Sequence, residues 1–160
     1  MQLPNRYYVE NEHGETLYVT TEQMNLVRAQ MKLNRRAYKF DMYDQNNKAG
    51  VITTGQSCCS TNLSIADGDG RRILKMSGPS CCGRCNSDSV FELDAVGGPS
   101  GVCTITRKFI KDITTYTNAD AFWIRFPPEM DVRLKATIIG TCILIDFIEF
   151  EGTKHVNRNR

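Results

Sequence analysis

Most of the chain consists of short segments in which apolar and polar residues alternate. In one of them, Phe40 and Met42 alternate with Lys39, Asp41 and Tyr43, a period of two that places one face of a strand on a core and the other in water. Turn clusters such as NEHGE and ADGDG separate nine segments of strand-like length and composition: RYYVE, TLYVTT, YKFDMY, VITT, LSIA, RILKM, VFELDAV, VCTITRKF and FWIRF. This pattern predicts an antiparallel sandwich or barrel. The segment Met24–Leu33 has no clean period and is either a short helix or a loop.

The last apolar segment predicts a helix. After Pro127-Pro128, the run EMDVRLKATIIGTCILIDFIEF has acids before its apolar part, no internal proline and one glycine, as expected for a helix. From Ala136 to Phe150 its apolar residues cover every side, so protein or lipid must surround them. The stretch is charged and shorter than the roughly 20 apolar residues that span a bilayer. We therefore expect a helix threaded through a closed sheet.

Small and acidic residues within this helix raise two questions. Its small residues either let strands approach the helix backbone closely or are simply tolerated there: Ala136, Thr137, Gly140 and Thr141. Asp146 is an acid inside the apolar run, and a buried carboxylate needs a partner or a raised pKa. We favour a structural role for Asp146 over a functional one.

Length and charge narrow the class of protein. The chain has 160 residues, 41% hydrophobic and 24% charged, with a net charge of +2. This is typical of one soluble globular domain, which we place at 1–152 with a polar basic tail at 153–160. The near-balance of charge gives no indication of a nucleic-acid partner.

The amino-terminal residues and the cysteines bear on compartment and chemistry. MQLPNRYYVENEHG lacks the features of a secretory signal, so the seven cysteines are expected to be reduced thiols, lipid-attachment sites or metal ligands rather than a disulfide framework. The two histidines, His13 and His155, lie in a turn and in the tail. Neither is well placed to act as the base of a Cys/His or Ser/His/Asp catalytic site, so we do not expect an enzyme.

Several motifs together resemble the phospholipid scramblases. ILKMSGP, VFELDAV and TNADAFWIRFPPEMDVRLKATIIGTCILIDFIEFEG occur in the order of that family's carboxy-terminal half, and NRYYVENEHGETLYVTTEQ resembles its early strand pair. The resemblance implies a mainly β, tubby-like fold, in which a closed antiparallel barrel surrounds a central apolar carboxy-terminal helix. Because the chain passes almost directly from the cysteines near Cys58 to NLSIADGDGRRILKM, where the family has further strands, we expect a shortened or open barrel.

The same resemblance implies a function. The family's activity is calcium-dependent, bidirectional, ATP-independent movement of phospholipids between membrane leaflets, at the cytoplasmic face of the plasma membrane. The alternative is a membrane-recruited module that binds lipid or protein without transport. Moving a headgroup across a bilayer requires a polar path, and the apolar helix is short, so the residues alone leave both functions open.

Calcium is the cofactor that the resemblance implies, with a proposed loop at Asn118–Glu129. The oxygen ligands it offers are Asn118, Asp120 and Glu129, but Trp123 stands where a calcium loop needs glycine. The alternation of residues 122–126 favours an extended strand over a preformed loop. We therefore expect at most a weak site. Asp67 and Asp69 in ADGDG are a second carboxylate pair, for which we favour a hairpin turn over a cation site.

The cysteines fall into two groups. Cys58, Cys59, Cys81, Cys82 and Cys85 lie in polar surroundings, and Cys82-x-x-Cys85 has zinc-knuckle spacing. We rank unmodified loop thiols first, palmitoylation second and zinc third, with acylation the function that the family resemblance implies. Two further cysteines occupy apolar patterns and are expected in the core: Cys103 and Cys142.

Basic residues suggest how the chain meets a membrane. The run from 28 to 39 contains five of them and no acid: Arg28, Lys32, Arg35, Arg36 and Lys39. Each contributes about 1 kcal/mol at an anionic lipid surface, although a solvated connection explains the run equally well. Arg107, Lys108 and Lys111 overlap the position of a nuclear-import segment in the family but depart from its pattern. Nuclear entry and protein partners therefore remain secondary hypotheses.

Overall fold

The computed structural model describes residues 5–23, 38–45, 47–55, 60–80, 88–108 and 121–156. Within them lie nine strands and one helix: β1 Arg6–Glu10, β2 Thr16–Glu22, β3 Lys39–Asp44, β4 Asn47–Thr54, β5 Ser60–Asp67, β6 Arg72–Ser80, β7 Ser89–Ala95, β8 Cys103–Lys108, β9 Ala121–Arg125 and α1 Val132–Val156. All nine predicted strands and the predicted final helix are confirmed. The segment Met24–Leu33 lies outside the described residues.

The strands form one antiparallel sheet in which each strand pairs with its neighbours in the sequence, from β1 through to β9. Tight turns join several of them, and Gly14 in the β1–β2 turn has a φ of 77°, a conformation that favours glycine. The sheet curls into a half-barrel with α1 on its inner side. The expected mainly β barrel-type fold around a carboxy-terminal helix is therefore confirmed. Among the described residues, β1 and β9 are the two edges of the sheet and do not pair with each other.

The core lies between the inner face of the curled sheet and α1. In β7, Phe91 and Leu93 are buried while the alternating residues Val90 and Glu92 are exposed, so strand alternation separates the two faces as predicted. The inner residues of β3 to β8 form a single cluster with the buried residues of the helix: Ile138, Cys142, Leu144 and Ile145. Burying one such aliphatic side chain contributes about 1.5–3 kcal/mol. The helix is thus an integral part of the core.

Small residues let α1 and the strands come close together. A Cβ atom added to Gly50 of β4 would overlap the Thr137 side chain and lie 2.9 Å from the Ala66 carbonyl oxygen. On the helix side, a Cβ at Gly140 would lie 2.5 Å from Met42 Cε. Close approach, the first of the two predicted explanations, is therefore the correct one for Thr137 and Gly140.

The helix begins at an aspartate cap. Asp131 Oδ1 accepts hydrogen bonds from the backbone N–H groups of Arg133, at 2.9 Å, and Leu134, at 3.2 Å. These bonds satisfy donors that have no partner within the helix. The helix extends to Val156, beyond the expected domain end at residue 152. No helix in the described part of the chain is long and apolar enough to cross a membrane.

One expectation about this helix was wrong. Asp146 was expected to be buried, but its side chain is exposed. Its apolar neighbours Ile145 and Phe147 are buried and half-buried, and between Ala136 and Ile148 the exposed residue is Asp146. Asp146 lies close enough to Tyr7 to help raise the pKa of that phenol, after burial and the charge of Glu22.

Candidate functional site

The register of β3 to β6 places two rows of side chains on the outer face of the sheet. Lys39 pairs with Thr53, Thr53 with Ser64 and Ser64 with Lys75. The neighbouring row consists of residues that are likewise paired across the four strands: Asp41, Val51, Ala66 and Arg72. Along β3, β4 and β5 these residues alternate with core residues such as Phe40 and Ile52, so they point away from the core. A register shift in the β5–β6 ladder brings the exposed Arg72 opposite Ala66. Six residues of these rows line a surface groove: Lys39, Val51, Thr53, Ser64, Ala66 and Arg72.

This outer groove has a volume of about 410 Å³, and polar and apolar atoms share its walls almost equally. Three basic side chains line it, Lys39, Lys48 and Arg72, together with one acidic side chain, Asp69. The hydroxyl-bearing residues Thr53, Thr54 and Ser64 also line it, and Val51 and Ala66 supply apolar surface. Ammonium, guanidinium and hydroxyl groups are hydrogen-bond donors, so the groove is suited to an anion with several acceptor oxygens.

A buried carboxylate holds one of these cations in place. Asp41 is on the outer face, yet its side chain is only 3% exposed, and Lys48 Nζ lies 2.9 Å from Asp41 Oδ1. Gln23 Nε2 donates to the other carboxylate oxygen. Because a buried carboxylate is costly without a cation and hydrogen bonds, the charge of Lys48 is largely committed to Asp41. Lys39 and Arg72 therefore supply most of the positive charge that the groove offers to a ligand.

The β5–β6 turn forms one end of the groove. Asp67 Oδ1 accepts hydrogen bonds from the N–H groups of Asp69, at 3.1 Å, and Arg71, at 2.8 Å, and Gly70 has a φ of 86°. A Cβ at Gly68 would overlap the Lys48 carbonyl oxygen, so glycine there lets the turn lie directly on β4. The hairpin prediction for Asp67 and Asp69 is confirmed. In the described part of the chain, no three His, Cys, Asp or Glu side chains cluster to hold a metal ion.

The structure describes only part of the proposed calcium loop. Residues Ala121–Arg125 form β9, paired with β8, as the strand interpretation predicted. Glu129 lies exposed in the turn between β9 and α1. Asn118 and Asp120 lie outside the described residues, so a calcium site from these three residues stays a prediction.

The other predicted sites lie mostly outside the described residues. Of the basic run, Lys39 alone is described, at the start of β3 and in the wall of the outer groove. The remaining predicted residues, from both the basic run and the acylation or zinc set, are outside: Arg28, Lys32, Arg35, Arg36, Cys58, Cys59, Cys81, Cys82 and Cys85. These assignments stay predictions.

The two cysteines expected in the core are there. Cys103 on β8 and Cys142 on α1 are buried free thiols. Burial raises the pKa of Cys103 to about 11 and that of Cys142 to about 12. Thiols that stay protonated near neutral pH are poor nucleophiles and metal ligands. Both residues are therefore part of the packing.

A second outer surface, on β7 to β9, is different in character. Trp123 is 67% exposed, and the Lys108 ammonium lies 4.6 Å from its ring centroid. Lys108 Nζ also lies 2.6 Å from Asp88 Oδ2, so its charge is paired at the surface. Of the other residues compared with a nuclear-import segment, Arg107 is on β8 and Lys111 is outside the described residues.

Two residues of the outer groove, Lys48 and Arg72, were not singled out from the sequence. Each is separated from Lys39 along the chain and comes near it only through strand pairing. Lys48 precedes the apolar part of β4, and Arg72 follows another arginine after the ADGDG turn. The alternating segment RILKM gave no signal for Arg72, because strict alternation places it on the same side as the buried Leu74 and Met76. The register shift in the β5–β6 ladder, which changes this, is not visible in the sequence.

Comparison with known proteins identifies the family. The family model described as Scramblase matches residues 45–152, which include β4 to β9 and most of α1. The chain belongs to the scramblase family. Its relatives include Phospholipid scramblase 4 of Mus musculus, 39% identical over 102 residues, which are 64% of this chain and 31% of the relative.

Two further relatives support the same family. Phospholipid scramblase 1 of Mus musculus is 35% identical over 65% of this chain and 32% of its own length. Phospholipid scramblase family member 5 of Homo sapiens is 35% identical over 64% of this chain and 38% of its own length. The matched region thus spans about a third of the length of these relatives. No solved structure matches the chain.

Proposed function

We propose that this protein moves phospholipids between the two leaflets of a membrane, in both directions, in response to calcium and without ATP or covalent chemistry. The observation that carries the proposal is the scramblase family match over residues 45–152. Relatives of that region are named phospholipid scramblases. The proposed place of action is the cytoplasmic face of the plasma membrane.

The calcium response is assigned to the region before α1. Glu129 is exposed in the turn that leads into the helix, and Asn118 and Asp120 precede β9 in the sequence. With one neutral and two charged ligands, the affinity for calcium should be low. Asn118→Asp should strengthen calcium binding by adding a charged ligand, as measured by calorimetry, with Asn62→Asp as a control elsewhere in the chain.

Recruitment to the membrane is assigned to charge and acylation. The basic run at 28–39 would be attracted to anionic lipid, with a strength that falls as salt screens it. Palmitoyl groups on cysteines such as Cys81, Cys82 and Cys85 would add anchoring. Changing Arg35 and Arg36 together to Gln should weaken binding to anionic vesicles while leaving the melting temperature nearly unchanged, since exposed basic residues contribute little to stability.

The decisive test is reconstitution. The purified full chain is incorporated into vesicles carrying a fluorescent phospholipid in both leaflets, and an impermeant reductant bleaches the outer-leaflet dye. Loss of more than the outer-leaflet signal, dependent on calcium, is the expected result. Bleaching that stops at the outer leaflet with and without calcium would contradict the proposed transport.

One observation favours a second function, that of a membrane-recruited module that binds lipid or protein without moving lipid. The apolar side chains of α1 are packed into the sheet, with Ile138 and Ile145 fully buried. A helix used in this way does not present those side chains to lipid. Vesicle binding without transbilayer movement in the same assay would select this function.

A further inference from the structure

The outer groove contains basic and hydroxyl side chains to which the proposed function assigns no role. Lys39 and Arg72 enter it from β3 and β6 with β4 and β5 between them. At strand spacings near 4.8 Å, the two backbones are about 14 Å apart. The long side chains of lysine and arginine can reach over the intervening strands from both sides. A small anion held between them would lie above Thr53 and Ser64, whose hydroxyl groups are further donors.

We propose that the outer groove binds the phosphomonoester group of a lipid headgroup, with Lys39 and Arg72 as its main cationic contacts. The proposal rests on the proposed function to the extent that both require the protein to meet phospholipid. It adds a binding site and a class of headgroup. The shared chemistry is a phosphomonoester, whether on a lipid or on a soluble molecule, and the lipid is the source proposed here.

The charge of the groove selects among phosphates. A phosphomonoester carries a charge of about −1.5 to −2 near neutral pH and offers three acceptor oxygens, whereas the phosphodiester of an ordinary phospholipid carries one negative charge. Lys39 and Arg72, together with the hydroxyl donors, can contact separate oxygens of the more highly charged group, provided that the group lies away from the carboxylate of Asp69. Asp69 at the turn end of the groove can accept a hydrogen bond from a headgroup hydroxyl.

The size of the groove fits a headgroup rather than a larger partner. Its volume of about 410 Å³ is near the lower end of the range for small-ligand sites, about 300–1,000 Å³. Its walls are polar and apolar in similar measure, and Val51 and Ala66 belong to the apolar part. A groove of this volume is filled by a headgroup, so the acyl chains of a bound lipid would remain in the bilayer.

The test measures equilibrium binding of the full chain to phosphatidylcholine vesicles containing phosphatidic acid, a phosphomonoester lipid. A second set contains phosphatidylserine at equal surface charge, and a third measurement titrates soluble glycerol 3-phosphate. We expect the phosphatidic acid vesicles to bind more tightly than the phosphatidylserine vesicles, and both more tightly than glycerol 3-phosphate. Equal affinity for the two vesicle types would overturn the phosphomonoester assignment, and glycerol 3-phosphate binding as tight as the vesicles would overturn the lipid source.

Matched variants locate the binding. Arg72→Gln is compared with Arg71→Gln, a neighbouring exposed arginine, and Lys39→Gln is compared with Lys75→Gln, which lies in the same cross-strand row. Neither control residue lines the outer groove. Loss of a hydrogen bond to a charged group costs about tenfold in affinity, so we expect Arg72→Gln to reduce binding about tenfold and Arg71→Gln to reduce it much less.

Several outcomes would overturn the proposal. Equal losses in the groove and control variants would show that diffuse charge holds the vesicles. Arg72→Lys and Lys39→Arg, which keep the charge, should retain most of the binding, and melting temperatures identify any variant that has lost its fold. The test is separate from the transport assay. Lipid movement together with vesicle binding that is unaffected by the groove variants would refute this inference alone. Binding that depends on the groove residues, without lipid movement, would refute transport alone.

Discussion

The inner and outer faces of β3 to β6 are built from the same four strands but follow different rules. On the inner face Phe40, Met42 and Ile52 are fully buried against the rest of the core. Stability there depends on apolar side chains whose total volume fills the space. On the outer face Asp41 is almost as well buried, but it depends on Lys48 and Gln23. Burial of the inner residues therefore follows from strand alternation, whereas burial of the Asp41 carboxylate on the outer face depends on a particular cation and a particular amide from neighbouring segments.

The largest loss of stability is expected from a charge placed on the inner face. Ile145→Asp puts an unpaired carboxylate among residues with no exposure, and we expect a loss of about 4 kcal/mol or more in the free energy of unfolding. Denaturant unfolding followed by circular dichroism measures it. Val132→Asp is the matched control, because Val132 is 66% exposed in the first turn of the helix, where an acid is favourable. A cooperatively folded Ile145→Asp protein with unchanged stability would show that the helix does not form part of the core.

Removing a polar contact on the outer face should reduce the free energy of unfolding by a smaller but still measurable amount. Asp41→Ala leaves Lys48 and Gln23 without their carboxylate partner, and we expect a loss of about 1–3 kcal/mol. Asp69→Ala, on the same groove but exposed, should change stability by less than about 0.5 kcal/mol. Both are measured by denaturant unfolding. Equal effects of the two changes would mean that the Asp41 contacts contribute no more than an exposed acid does.

Disturbing the close packing between the sheet and α1 should reduce stability by a similar or smaller amount. Gly50→Ala brings a Cβ against Thr137 and the Ala66 carbonyl, and overpacking of this kind costs about 1–3 kcal/mol. Adding Thr137→Ala removes part of the overlap, so the double variant should be more stable than the sum of the two single changes implies. Strict additivity in thermal unfolding would contradict the close approach.

The smallest effect is expected at the largest exposed side chain. Trp123→Ala removes a ring that is 67% exposed and whose described aromatic contact is the cation–π pair with Lys108. Such a pair contributes about 0.5–1 kcal/mol at an exposed site, and thermal unfolding should shift accordingly. Phe91→Ala, on the inner face, should by contrast cost about 3–5 kcal/mol. Similar shifts for both would erase the distinction between the two faces.

The inner face of the sheet could be predicted from the sequence better than the outer face. Alternation around Phe40 and Met42 was sufficient to predict β3, and similar patterns predicted the other strands. Because DQNNKAG has turn composition, β4 was expected from Val51, whereas it begins at Asn47. Gly50 is tolerated within the strand because the helix packs against it, a contact that no local pattern reveals.

The outer groove was less accessible to prediction. Lys39 was identified, but as part of a basic run and not as the neighbour of Lys48 and Arg72. Those neighbours depend on the register of three successive strand pairs, and register is a long-range property. Likewise, the spacing of apolar residues in α1 could not show that Asp146 is exposed, since the pattern is apolar on every side.

The order of elements along the chain has a consequence for how the protein folds. Each strand pairs with its neighbours in the sequence, so the hairpins can form locally and early, while the chain is still being synthesised. The helix that covers their inner side comes after all nine strands. Until it docks, Met42, Ile52 and Leu63 face water on an uncovered sheet, and this period is when the nascent chain is most exposed to aggregation and most dependent on chaperones.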